Sequence, residues 1–223
     1  WKLHCINATT GNGIWNITFG SSMGTPVSIA DGYLAASNTY DGYMYVFGKG
    51  PSATTVTAPD TGIQLGQSIM IKGTVTDQSP AQKGTACVSD ESMAAWMEYL
   101  HMQKSMPINV TGVVVKIDVI DANNNFRNIG TVTTDLSGHF GLAWTPDIPG
   151  QYTVIATFAG SNSYGSSYSM TYFNVDEPPQ PTAAPTPTPV PMSEMYFLPA
   201  VTGIVIALAV VGALLVLMLR KRP

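Results

Sequence analysis

The sequence predicts a mainly β protein closed by a single transmembrane α-helix. Three observations predict it. Short runs that alternate apolar and polar residues recur between Gly-, Asn-, Asp- and Pro-rich turn signals along the first 176 positions. Charged residues are only 11% of the chain, against roughly 25% in ordinary soluble domains, with Thr, Ser, Gly, Asn and Tyr in their place. The last apolar run, residues 196–219, carries no charge over 24 positions.

The apolar run is the least ambiguous element. Twenty-four residues of helix reach roughly 36 Å, enough for a hydrocarbon core of about 30 Å with some tilt. Tyr196 opens it with an interfacial aromatic and Leu219 closes it. Pro199 falls in what this span makes the first turns, where a missing N–H costs little. Arg220, Lys221 and Arg222 abut the C-terminal side, whereas the nearest basic residue on the other side is Arg127. The positive-inside rule then places the tail, 220–223, in the cytoplasm and the bulk of the chain outside. Upstream, residues 177–191 contain seven prolines in fifteen positions. Proline fixes φ and removes donors, so this stretch is expected to be an extended polyproline spacer of about 45 Å, part of a Pro/Thr-rich linker over 177–195.

Residues 1–51 read as short strands, 1–7, 14–19, 26–30, 33–37 and 43–47, between tight turns at Gly11-Asn12-Gly13, Asp31-Gly32 and Asp41-Gly42. Gly11 suits a turn that needs φ > 0, and Asn7 can bond the backbone of that turn. The constellation Cys5-x-Asn7-x-x-x-Gly11-x-x-x-Trp15 resembles the tryptophan-docking motif of quinoprotein-type (PQQ-like) β-propellers, with Cys and Asn where the usual motif has Ala and Asp. Residues 30–34 and 40–47 look like the strand pair of the following blade. The resemblance implies that Gly11 and Trp15 are structural docking residues and that this segment is the end of a propeller whose other blades lie upstream. Some relatives bind pyrroloquinoline quinone; no cofactor ligand is carried over to this chain. The chain has no initiator Met and no signal peptide before a strand-like start, which predicts a longer protein.

Residues 52–176 read as one β-sandwich. Strands are expected at 54–57, 68–75, 113–120, 126–133, 140–144, 152–158 and 170–175, with turns at Asn123-Asn124-Asn125, Asp135-Leu136-Ser137-Gly138 and Pro149-Gly150. Seven short strands at this spacing suggest an Ig-like β-sandwich. The run from Ile129 to Tyr164, with Asp135, Gly138, Trp144, Pro149, Gly150 and Tyr152 at its fixed points, is similar to the repeats of prokaryotic surface proteins. A propeller, a sandwich and a Pro/Thr spacer before a C-terminal helix resembles the layout of archaeal surface proteins.

An insertion at 77–108 interrupts the sandwich, and its residues 90–104 read as a helix. Ser89 is the candidate N-cap, and Asp90 and Glu91 suit the positive helix start. Met93, Trp96, Met97 and Leu100 fall at i, i+3, i+4 and i+7, an apolar face expected to cover a sheet edge or the junction with residues 1–51. A soft-metal reading of Cys87, Met93, Met97, His101, Met102 and Met106 is the rival, since thioether and imidazole suit Cu(I). Asp118, Asp121 and Asp135 admit both a Ca²⁺ reading and a turn reading. Cys5 and Cys87 are compatible with a bridge or with two buried thiols.

Asn7, Asn16 and Asn109 head N-x-T sequons and are candidate glycosylation sites. His4, His101 and His139 lie in different segments, and no phosphate loop or zinc spacing is present. The formal charge is −4, with three of the ten basic residues in the tail, so no basic patch supports nucleic-acid binding. The expected role is a non-enzymatic, membrane-anchored extracellular stalk for display or adhesion. Its expected partners are the lipid bilayer, upstream propeller blades and other surface proteins or glycans. The alternative is a tether for a quinoprotein-like oxidoreductase or ligand-binding propeller whose active site lies upstream.

Overall fold

The computed structural model describes residues 1–20, 27–179 and 191–221. They belong to two compact units, Trp1–Pro178 and Pro179–Pro223. Most of the expected polyproline spacer, residues 180–190, lies outside the described residues, as does Arg222.

The first unit begins with a ribbon of β1 (Lys2–Ile6) and β2 (Gly13–Thr18). Its turn is held as the residue types require. Asn7 Oδ1 accepts the amides of Thr9 and Thr10 at 2.9 and 3.0 Å. Gly11, at φ +73°, donates its amide to the Asn7 carbonyl at 2.8 Å. A three-stranded antiparallel sheet follows, β3 (Val27–Ala30), β4 (Tyr33–Ser37) and β5 (Met44–Phe47). Asp31 and Gly32 both take positive φ, as a two-residue hairpin loop demands. These sheets have two and three strands, so the blade expected from the propeller resemblance is not established.

The sandwich comprises β6 (Ser52–Thr57), β7 (Ile63–Gln64), β8 (Ile69–Asp77), helix α1 (Asp90–His101), β9 (Val114–Ile120), β10 (Phe126–Thr133), β11 (His139–Trp144), β12 (Gly150–Phe158) and β13 (Ser167–Asp176). One sheet runs β11-β8-β6 and the other β10-β9-β12-β13-β7. Alternation places Ile69, Ile71 and Val75 of β8 opposite Val115, Ile117 and Val119 of β9 and Tyr152, Val154 and Ala156 of β12 in one core. At Gly73 the sheet is so close that a Cβ would meet the Thr55 carbonyl and the Phe140 ring. The short β7 is the strand the sequence did not announce. It crosses from the first sheet to pair in parallel with the end of β13, Val175 opposite Ile63, and covers that edge.

Tyr152 fixes the corner where β11 returns to β12. Its hydroxyl donates to the Ile148 carbonyl at 3.2 Å, accepts the Ile148 amide and lies 3.1 Å from Asp147 Oδ1. Its ring stacks on Phe173 at 5.3 Å and meets Trp144 edge-on at the same distance. Arg127 grips Asp147 through both terminal guanidinium nitrogens and lies over Trp144. Three strands facing five, the fifth being the short β7, with this tyrosine corner, make an Ig-like β-sandwich.

The second unit is described through helix α2 (Met192–Arg220). It starts before the expected residue 196, so Pro199 is not in the first turn but well inside the helix. It leaves the Met195 carbonyl without its amide partner, and Thr202 Oγ1 donates to the adjacent Leu198 carbonyl at 2.7 Å. Residues Met195–Arg220 form a candidate membrane span with a mean hydropathy of 2.8.

Removing the corner hydroxyl should be felt throughout the sandwich. Tyr152→Phe keeps the ring stack but leaves the Ile148 amide and carbonyl underbonded, so unfolding in urea should show a loss of about 1–2 kcal/mol.

Candidate functional site

Segments distant in sequence meet around α1. Trp96, 5% exposed, packs with Ala86 and Val88; Met93 also touches the sandwich core, and Met97 touches the cluster of the N-terminal sheets. Met102 joins that same N-terminal cluster. The apolar face therefore serves as a three-way junction, in which the buried Trp96 stabilises by roughly 1.5–3 kcal/mol and the half-buried Met93 and Met97 by less.

Polar contacts reinforce each end. Ser89 occupies the N-cap position but makes no side-chain capping bond; its hydroxyl meets Ser92 instead. Asp90 turns away from the helix start and accepts the Ser161 hydroxyl, the Asn162 and Ser163 amides and the Ser163 hydroxyl at 2.7–3.1 Å. Burial alone would raise the Asp90 carboxyl, but these donors carry it below its ordinary range. Glu98 accepts the Thr18 amide at the end of β2, 2.6 Å away. Burial pushes its carboxyl up; the Thr18 donors, with Lys104 and Lys2, outweigh that and set it low.

His101 closes the helix. Gln82 Nε2 donates to Asp77 Oδ2 at 2.7 Å, so Gln82 Oε1 faces His101 Nε2 at 2.6 Å and that ring nitrogen carries the proton. Burial lowers the His101 pKa against the pull of Asp77. The His101 carbonyl accepts the Tyr45 hydroxyl at 3.2 Å, and the Tyr45 ring meets the imidazole edge-on. Burial and Asp41 together push the Tyr45 hydroxyl up to about 12.

The sequence-derived candidates are distributed as follows. Trp15 stacks on Phe47 of the neighbouring sheet at 5.6 Å, and Gly11 sits in the turn before it. Met93, Met97 and Met102 point into apolar clusters, His101 is bonded to Gln82, and Met106 is exposed; they do not converge. Cys87 is buried and free, with its thiol pushed up to about 12 by burial and Asp77, and Cys5 is also free. Asp121 accepts three donors from Asn123 and Asn125, and Asp135 accepts the Ser137 and His139 amides. Asp118 pairs with Lys116 at 3.1 Å and accepts Asn128. Turn and sheet chemistry thus occupies all three carboxylates. Among the described residues no group of three or more His, Cys, Asp or Glu is placed to hold a metal. Asn7, Asn16 and Asn109 are exposed. Along α2 the residues flanking the span, Tyr196, Leu219, Arg220 and Lys221, are likewise exposed.

No family profile matches the chain, and no curated protein does. Among solved structures it is similar to a superoxide reductase (neelaredoxin) from Ignicoccus hospitalis, with 11% identity, TM-score 0.35, 56% of this chain and 80% of that one covered. The CARDB domain of a Pyrococcus furiosus protein, in complex with di-metal ions, matches at 15% identity and TM-score 0.30 over 56% of this chain and 91% of that one. Fibronectin(III)-like modules of CbhA from Clostridium thermocellum match at 10% identity and TM-score 0.35 over 83% and 90%. At scores this low the likenesses carry no assignment of activity or ligand.

The Glu98 contact should be acid-sensitive. Its carboxyl is held low in the folded protein, so the contribution is complete above about pH 4.3 and is lost as the pH falls through the lower folded-state value. Glu98→Gln should abolish this component of acid destabilisation, read as a flatter plot of urea midpoint against pH between about 5 and 3.

Proposed function

We propose that this chain is the membrane-proximal part of a single-pass cell-surface protein, a stalk for display or adhesion that holds an upstream β-propeller away from the bilayer. The observation that carries the reading is α2. It is apolar over Met195–Arg220 and none of its span is buried against protein, which in water would be an extreme exposed apolar surface. Arg220, Lys221 and Arg222 face the cytoplasm by the positive-inside rule, and the bulk lies outside.

The strand order of the sandwich supports a spacer. The first strand β6 and the last strand β13 start side by side, with the Gly165 amide on the Gly50 carbonyl at 2.8 Å and the Ser52 hydroxyl on the Gly165 carbonyl at 2.7 Å. The chain arrives at Gly50 at one pole and leaves at Asp176 at the other, a ten-residue strand away, or roughly 30 Å. Each such domain adds its full length to a stalk. The Pro/Thr-rich sequence 177–191 lies between the sandwich and α2. Trp15, stacked between two small sheets, fills a docking role between blades with Gly11 shaping its turn. The sequons at Asn7, Asn16 and Asn109 would carry glycans on the outer side. The fragment performs no catalysis in this reading.

Fractionation and protease protection test the reading. The full chain should resist alkaline carbonate extraction, and protease added to intact cells should remove residues 1–178 while sparing the α2 peptide. Replacing Arg220, Lys221 and Arg222 with glutamate should reduce the fraction in that orientation. Release of the wild-type chain by carbonate, or protection of the sandwich in intact cells, would overturn it.

A further inference from the structure

The two outer faces of the sandwich are unequal. An antiparallel sheet that meets water on one side normally carries polar residues there. The three-stranded sheet obeys. Its outward Thr55 and Thr74 hydroxyls bond each other at 2.7 Å, and Lys72 is exposed beside them. The five-stranded sheet does not. Along β13 the outward residues Tyr168, Met170 and Tyr172 are 67%, 49% and 57% exposed. Register extends this strip sideways. Tyr172 pairs with Thr153, Thr153 with Ile120, and Ile120 with Phe126. Phe126, 60% exposed, therefore ends the same row on β10. One row along, Met170 pairs with Ile155 and Ile155 with Asp118.

The charges within this face are already matched. Asp118 is buried on it, 3.1 Å from Lys116 Nζ, and accepts Asn128 Nδ2 at 3.0 Å. The Lys116 ammonium also lies over the Phe126 ring, 5.7 Å from its centre. Asn128 Nδ2 donates to the Ile117 carbonyl as well. These groups bond within the sheet, so the face offers ring and aliphatic surface outward, which suits an apolar partner better than a sugar. Asp176, at the end of β13, accepts Asn174 at 2.8 Å and falls on the rim.

We propose that the outer face of the five-stranded sheet is the contact surface of a homodimer, each copy packing Tyr168, Met170, Tyr172 and Phe126 on the same face of the other. Area and charge select a second copy. The three rings alone leave roughly 350 Å² of apolar surface in water, the size at which a patch on a monomer marks an interaction site. The rest of a four-stranded face brings this to the low end of a standard interface, about 600 Å² per partner. Fourteen acidic residues oppose ten basic ones, three of which lie in the tail, so two copies repel over most of their surface. The Lys116–Asp118 pair makes this face neutral, and two such faces meet without that penalty. One surface packed on itself is a twofold, closed arrangement, with the strands of the two sheets aligned to within about 30°. The inference rests neither on the membrane anchor nor on the reading of residues 1–51.

Sedimentation equilibrium of the full chain in density-matched detergent micelles tests the proposal. The chain should reach the mass of two copies reversibly at micromolar concentration, as a small interface allows. Met170→Lys and Tyr172→Lys should each raise the dissociation constant at least tenfold. Tyr172→Thr, which removes the ring but keeps a strand-favouring residue, should raise it less and covers the case in which a lysine lowers the Tm. Met70→Lys, on the outer face of the other sheet, should leave it unchanged. A chain that stays monomeric would overturn the proposal, as would a dimer indifferent to Met170→Lys and Tyr172→Thr, which would place the contact on another surface. Mass that grows beyond two copies would mean an open, head-to-tail contact and would also overturn it. A monomer whose tyrosine fluorescence saturates with added cello- or chito-oligosaccharide would assign the face to a glycan and overturn the second copy.

Discussion

A helix inserted between β8 and β9 is the constraint on which the order of the first unit depends. Among the described residues, the apolar side chains buried fully in the cluster of the N-terminal sheets are Ile17, Phe19 and Ala36, and two- and three-stranded sheets of this size are marginal alone. Helix α1 supplies what they lack. Met97 and Met102 thicken their cluster, Glu98 satisfies the end of β2, and the last turn accepts Tyr45. The same helix is fastened to the sandwich by Asp90 and Met93. Loosening α1 would free the N-terminal sheets long before the sandwich core opened, a local transition below the global one.

Much of the fold was legible because its period is short. Alternation in β8 and β9 and the turn residues of the hairpins reflect contacts between near neighbours. The 3.6-residue recurrence of Met93, Trp96, Met97 and Leu100 gave α1 for the same reason. What stayed hidden is long-range. Nothing local marks Glu98 as the partner of Thr18, 80 positions away, or Asp90 as the clasp of a loop more than 70 positions on. The β7 crossing is two residues long, too short to carry a period. Asp90 looked like a helix-start acid and is also a loop anchor, because the folded chain brings the donors of Ser161, Asn162 and Ser163 to its carboxylate.

The methionines illustrate the limit for site reasoning. Residues at i and i+4 share a helix face, which makes Met93, Met97 and His101 look like one ligand set. A face enclosed on several sides gives each side chain a different neighbour, and the three end in the sandwich core, the N-terminal cluster and a Gln82 bond. The candidate span, by contrast, is recognised without any partner, from its length and composition alone.

The parallel start of β6 and β13 has a mechanical consequence. Tension pulling residues before Gly50 one way and residues after Asp176 the other acts along both strands in opposite senses. The bonds joining Gly50, Ser52 and Thr54 to Gly165 and Ser167, together with the β7–β13 pair, then share the load in shear instead of opening one after another like a zipper. A sandwich built this way resists stretching at its two ends.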